Sequence, residues 1–313
     1  MSTPARGALV VGESLVDVVT DPAGEVLDRA AGGSPLNVAV GLARLGVPTT
    51  LATCLGDDEL GALVRSHAAG SGVTITPGSV GRHPTGTATA RLDPGGAAAY
   101  VFALHWELAR PAVDDDLLVV HVGSLGTVLE PGATTVRAIA AEAASRGIPL
   151  SYDPNIRPAI CPDGPATWSA VRRVAELSLV VKVSEEDLDH LQPRRDVSDV
   201  LDELVGRGRT ALAVCTLGRG GALARCEAAG ARVAAPAVDV VDTVGAGDSF
   251  MAALLVALAD LGWLGEPQRA LGETDLQGLL RSAAAAAALT CARRGADPPR
   301  RTELGPHWPY RPS

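Results

Sequence analysis

The stretch Asp242-Thr243-Val244-Gly245-Ala246-Gly247-Asp248-Ser249-Phe250 decides how this chain reads. Three small residues, Gly245, Ala246 and Gly247, precede an acid, Asp248. From there apolar residues recur at Phe250, Met251, Leu254, Leu255, Leu258 and Leu261, close to the helical period. A small-residue turn therefore feeds a helix N-terminus. Such a turn points unpaired backbone N–H groups at one spot and favours an anion there. Small side chains let the anion approach the backbone. Asp248 stands beside that spot and can take a proton from a hydroxyl. An amide cradle next to a carboxylate suits phosphoryl transfer to an alcohol. An acid in a first helical turn is also an ordinary helix-start residue, so the stretch alone leaves both readings open.

The 313 residues allow one large α/β domain or two smaller ones. Apolar residues make up 47% but aromatics only 3%, so the core must be built mostly from Ala, Val and Leu. A net charge of −9 without a basic run argues against nucleic acid as a partner. Cys54, Cys161, Cys215, Cys226 and Cys291 are dispersed with no C-x-x-C spacing, which reads as reduced thiols of a cytoplasmic protein. Glu13 and Asp17 interrupt the first apolar stretch, so no signal-peptide pattern is present. No apolar run reaches the length of a membrane span. Lys182 is the only lysine and follows the apolar Leu179-Val180-Val181, not a glycine-rich loop. Phosphate binding through a P-loop is excluded, leaving backbone amides and arginine.

Residues 7–19 read as a first strand. Gly32-Gly33 then leads to Ser34, a good N-cap, and Pro35, which suits the first helical position. Asn37 falls in the first turn of that helix, which Gly46 ends. A strand at 49–55 and a helix to about 69 follow. Residues 73–76, 86–92 and 97–104 are β-like, the last two joined by the turn Asp93-Pro94-Gly95-Gly96. They read as a small β insert, either a lid over a pocket or an edge hairpin. His105, just after it, reads as structural or substrate-facing rather than as a metal ligand.

Strands at 117–122, 148–152, 179–183 and 210–215 then alternate with helices at about 131–146, 166–177 and 198–207, with another opening at 185. Short strands at 222–226, 231–235 and 237–241 precede the opening stretch, and an alanine-rich helix covers about 275–293. This alternation implies a mostly parallel sheet covered on both faces, with ligands at the carboxyl ends of its strands. Asp17, Asp153, Asn155, Arg157, Ser184, Thr216 and Asp248 all fall at such ends. One domain over 1–313 is the economical reading, with a partly loose tail at 296–313.

Gly32-Gly33-Ser34-Pro35-Leu36-Asn37-Val38-Ala39 and the 242–250 stretch together resemble the two signatures of the ribokinase-like (PfkB) carbohydrate kinases, fructokinase-like members above all. The resemblance covers nearly the whole chain. It implies a three-layer α/β/α fold with a mostly parallel central sheet and a small β-hairpin lid. It also implies transfer of the γ-phosphoryl of ATP to a primary sugar hydroxyl. Asp248 matches the catalytic base and Gly245, Ala246 and Gly247 the anion hole. Asp17, Gly32, Gly33, Asn37 and Arg157 match substrate positions. Lys182, Ser184, Thr216, Gly218, Gly221, Gly247 and Ser282 match nucleotide positions, although the family often has asparagine near 282. Where the family often has N-x-x-E acting on the water shell of Mg²⁺, this chain has Ser184 and Asp187, with Glu186 adjacent, so both acids stand as candidates. Asp242, Thr243, Arg293 and Gly295 fall in a monovalent-cation segment, usually for K⁺. A homodimer through the lid is a further implication.

Within the family, a ribokinase, a 2-keto-3-deoxygluconate kinase or a nucleoside kinase is the rival reading. Three tyrosines, two phenylalanines and four tryptophans offer little for stacking a nucleoside base. A non-catalytic sugar-binding protein is a rival of another class, against which the intact Gly-Ala-Gly-Asp argues. A nicotinamide oxidoreductase would need G-x-G-x-x-G after the first strand, which is absent.

Overall fold

The computed structural model describes residues 6–309 apart from 94, 96 and 97. Its centre is a nine-stranded sheet in the order β15-β14-β13-β12-β11-β10-β1-β4-β6. These strands are β1 (Ala8–Val11), β4 (Thr49–Ala52), β6 (Val73–Ile75), β10 (Val119–Gly123), β11 (Leu150–Asp153), β12 (Val180–Ser184), β13 (Leu212–Thr216), β14 (Ala222–Arg225) and β15 (Gly230–Val233). β6 through β13 pair in parallel, and the last two strands run antiparallel. The parallel strands are short continuous apolar runs because helices cover both of their faces: every residue of β1 and β10 is buried.

One face carries α1 (Ser34–Arg44), α2 (Glu59–Gly70), α7 (Ala246–Asp260) and α8 (Glu273–Cys291). The other carries α3 (Gly132–Ser145), α4 (Gly164–Ala175), α5 (Glu185–Leu191) and α6 (Val197–Val205). α7 packs against both α1 and α8 and is buried continuously from Asp248 to Leu258. This all-round apolar character marks a helix enclosed on every side. The three-layer α/β/α expectation is met.

The lid differs from its expected form. It is a four-stranded sheet in the order β3-β2-β8-β9, built from β2 (Leu15–Thr20), β3 (Val26–Gly32), β8 (Thr87–Leu92) and β9 (Ala98–Ala103). The run at 7–19 is therefore two strands, of which only β1 belongs to the main sheet. The break falls at Gly12, where an added Cβ would stand 2.3 Å from Pro35 Cγ. That close approach is tertiary, so the apolar pattern does not announce it. The segment expected in the lid at 73–76 is instead β6, the edge of the main sheet. A two-stranded parallel ladder, β5 (Leu55–Gly56) with β7 (Val80–Gly81), sits where the chain approaches the lid.

Residues 237–241, expected as a strand, have no regular structure. Ser34 is not the cap of α1: Gly33, at φ 108°, takes that position and the side chain of Ser34 is used elsewhere. Of the expected turn and strand at 93–104, Pro94, Gly96 and Ala97 lie outside the described residues, as do residues 310–313 of the tail. The rest of the tail is held down rather than loose. Arg44 pairs with Asp297, Arg301 pairs with Asp260 and covers the Trp308 ring, and Trp308 Nε1 donates to Ser282 O at 2.9 Å.

Candidate active site

The small-residue turn does feed a helix. Gly245 caps α7 in the left-handed region, at φ 74°, and a Cβ there would meet Ala296 Cβ at 2.5 Å. Only glycine fits that backbone and that gap. The first amides of α7, from Ala246 to Asp248, lie at the positive end of a 15-residue helix. Asp248 is buried, and its carboxylate faces α1. Ser34 Oγ donates to its Oδ1 at 2.6 Å, and Asn155 Nδ2 to the same oxygen at 3.4 Å. Asn37 Nδ2 donates to Oδ2 at 2.8 Å. The two signature stretches, 211 residues apart in sequence, thus meet through a direct hydrogen bond. Asn37 Oδ1 is buried without a partner among the described residues. A buried acceptor of this kind calls for a donor from outside the chain, such as a hydroxyl.

The expected substrate residues gather around this pair. Gly32 ends β3 directly opposite β2, and a Cβ there would overlap Asp17 Oδ2 at 2.1 Å. Asp17 therefore occupies the space that a larger residue at 32 would take. Its carboxyl is pushed up to about 6 by burial, against the charge of Arg157. Glu13 lies deeper, accepts from Gly126 N at 2.7 Å, and is pushed up by burial to about 7. Arg157 is exposed and bends back to donate to Asn155 Oδ1 at 2.6 Å. Asn155 has φ 38° and Ser124 φ 55°, both left-handed without being glycine. Strained backbone at the carboxyl ends of β11 and β10 is a mark of a functional site.

Beneath the α7 turn lies a buried ion pair. Lys182 Nζ bonds Asp153 Oδ2 at 2.8 Å, with side-chain exposures of 4% and 0%. Burial pushes Asp153 up to about 6, with Lys182 opposing. Burial alone would lower Lys182, but Asp153, Asp187 and Asp248 raise it. Lys182, expected at the nucleotide, is buried directly under the turn that starts α7.

Asp187 is also committed. It forms a capping box with Ser184: its Oδ2 accepts from Ser184 N and Oγ, at 2.9 and 2.7 Å, and its Oδ1 accepts from Ile156 N at 2.7 Å. With both oxygens engaged, Asp187 positions the 155–157 loop, and the exposed acids of that first turn are Glu185 and Glu186. Thr216, Gly218 and Gly221 form the tight link from β13 to β14. Gly218 has φ 51°, and at Gly221 (φ 89°) a Cβ would stand 1.9 Å from Val233 O. Ser282 is buried in α8, and its hydroxyl donates to Gly278 O at 2.9 Å. The 242–243 and 293–295 segments do meet, through Gly295 N on Asp242 Oδ2 at 2.8 Å. The Arg293 guanidinium is turned to Asp297 and Glu303.

The sequence pattern of the "pfkB family carbohydrate kinase" family matches residues 6–303. The chain belongs to this family. This pfkB kinase is 34% identical over 263 residues to a fructokinase of Rhizobium leguminosarum bv. trifolii, covering 80% of this chain and 79% of the relative. Its fold is similar to a fructokinase with bound ATP from Xylella fastidiosa, with TM-score 0.78 and 28% identity over 95% of this chain and 97% of that one. It is also similar to a fructokinase from Vibrio cholerae O395 in a fructose-, ADP- and calcium-bound form, with TM-score 0.77 and 25% identity over 93% and 94% of the two chains.

Sequence reasoning about this kinase left four residues in or near the centre without their observed partners. Ser34 read as a cap, yet it bonds Asp248. Asn155 stood at a strand end without a role, yet it bridges Asp248 and Arg157. Glu13 was visible only as an acid inside an apolar strand, and Asp153 only as an acid at the carboxyl end of one, without its partner Lys182. That is itself a signal, since a buried carboxylate must be paired or neutral.

Proposed function

We propose that this pfkB kinase transfers the γ-phosphoryl of ATP to a primary hydroxyl of a fructose-like sugar. One observation carries the reading: the Asp248 carboxylate stands at the start of α7, bonded to Asn37, whose own Oδ1 is left without a donor. A sugar hydroxyl can donate to Asn37 Oδ1 while a second hydroxyl donates to the remaining lone pair of Asp248 Oδ2. Asp17 and Arg157 offer further partners at the same end of the site.

The chemistry follows from these placements. Asp248 accepts the proton of the attacking hydroxyl, its oxygen bonds to the γ-phosphorus, and ADP leaves with the bridging oxygen. Charge on the moving phosphoryl faces the first amides of α7, with Lys182 adding positive potential from below. Ser34 and Asn155 hold the carboxylate in position. Thr216, Gly218 and Gly221 line the nucleotide side of the site.

Glu185 and Glu186, exposed beside Ser184, fit Mg²⁺ held through water, and Mg²⁺ there neutralises phosphate charge. The joined 242–243 and 293–295 segments fit a K⁺ ion held by backbone oxygens. Exposed Val26, Leu27, Tyr100 and Val101 on the lid suit a second copy of the chain. Core and lid form one functional domain in this reading. The five free thiols suit a reducing, cytoplasmic setting, and among the described residues no helix is long and apolar enough to cross a membrane.

The test is ADP release across a panel of sugars, with Mg²⁺ and with or without K⁺. Fructose is expected to give the highest kcat/KM, with K⁺ raising it. Sugar binding without ADP release would overturn the catalytic reading, and a preference for ribose or a nucleoside would overturn the fructose-like one.

A further inference from the structure

Away from the reaction centre, three metal-binding side chains from distant parts of the chain converge. Cys54 lies between β4 and β5 and is buried. His83 lies in the segment between β7 and β8 that leads into the lid, and His105 follows β9, the strand that leaves it. Cys54 Sγ is 3.2 Å from His83 Nε2. The two imidazoles stack with centroids 4.2 Å apart. One donor atom from each residue lies within 4.8 Å of the other two.

We infer that Cys54, His83 and His105 form a site for a zinc-like transition-metal ion that ties both hinge strands of the lid to the main sheet. Tetrahedral zinc bonds of about 2.0–2.3 Å set ligand atoms about 3.3–3.8 Å apart. Cys54 and His83 are already near that spacing, and His105 needs only a shift of its side chain, which is 43% exposed. A sulfur and two imidazole nitrogens select zinc or cobalt over magnesium or calcium.

The surroundings of His83 favour a ligand. Its Nδ1 is 3.2 Å from the Pro84 carbonyl. With the hydrogen on Nδ1 donating to that carbonyl, Nε2 turns a lone pair toward Cys54, the outer contact typical of metal-bound histidine. Gly81 keeps this position open, since a Cβ there would stand 2.8 Å from His83 Nε2. The fourth position is open to water, and the Glu107 carboxylate is 3.8 Å from His105 Nε2. The thiol–imidazole contact brings Cys54 to His83, and the ring stacking brings His105 to the same place. On binding, the ion bonds to sulfur and the thiol proton is released to solvent. The ion would stiffen the lid hinge, and nothing in this site depends on the identity of the sugar.

The test is a titration of the chelator-treated full chain with Co²⁺, read by absorbance. One equivalent is expected to produce the thiolate-to-cobalt charge-transfer band and the visible bands of a tetrahedral ion, all displaced by Zn²⁺. C54S should lose the charge-transfer band. H105A, an exposed change, should weaken Co²⁺ binding at least about tenfold, no less than the loss of an outer-shell partner. Absence of the band in the wild type overturns the site, as does a band that survives C54S. If C54S does not fold, H105A decides alone: wild-type affinity in that variant overturns the proposal.

Discussion

Lys182 lies directly beneath Gly247: a Cβ built at Gly247 would stand 3.0 Å from Lys182 Nζ. The chain's single lysine is thus fixed under the turn that starts α7, with Asp153 holding it from the other side. Its charge adds to that of the helix end without contacting solvent.

Replacing Lys182 with methionine should therefore be felt twice. The lone Asp153 carboxylate left in the interior should cost about 3–5 kcal/mol of stability, and kcat should fall. The double variant K182M/D153N should recover most of the stability but not the turnover. Urea unfolding and steady-state kinetics on the three proteins check this, and an unchanged stability in K182M would contradict the buried pair.

Gly32→Ala probes the sugar end. The new Cβ would collide with Asp17 Oδ2, 2.1 Å away, and force that carboxylate aside. Loss of a charged hydrogen bond is worth about 1.5–3 kcal/mol, so the sugar KM should rise by about tenfold or more. The KM for ATP should not move. An effect on ATP alone would place Asp17 at the wrong substrate.

Glu13 gives a pH signature. Burial raises its carboxyl from 4.5 to about 7, so the folded chain holds a proton that the unfolded chain has released between those values. Stability from this group is present below pH 4.5 and is lost as pH rises to 7, by about 3 kcal/mol in all. Glu13→Gln cannot ionise and keeps an acceptor for Gly126 N. The unfolding free energy of E13Q minus that of the wild type should grow through this window and level off above it. A difference that stays flat with pH would show that Glu13 titrates as an ordinary carboxylate.

Much of this was legible in the sequence, for particular reasons. Val119–Gly123 and Val180–Ser184 are strands because continuous apolar runs of that length fit a sheet covered on both sides. The 242–250 stretch announced its turn because three small residues before an acid have few other uses. The lid was not legible in full. Leu15–Thr20 continues the apolar pattern of β1, and only the contact of Gly12 with Pro35 shows where one sheet ends. β3 is exposed over most of its length, so no buried face marked it as a strand. Ser34, Asn155 and Cys54 each lie 29 residues or more from the partner they bond, beyond the reach of any local pattern.

The most direct test of the central claim is the turnover of Asp248→Ala beside its sugar affinity by calorimetry. With Ser34, Asn37 and Asp17 still in place, sugar should bind within a few-fold of wild type. Without a proton acceptor, kcat should fall by about two orders of magnitude or more. A variant that phosphorylates sugar at close to the wild-type rate would contradict the assignment of Asp248 as the base.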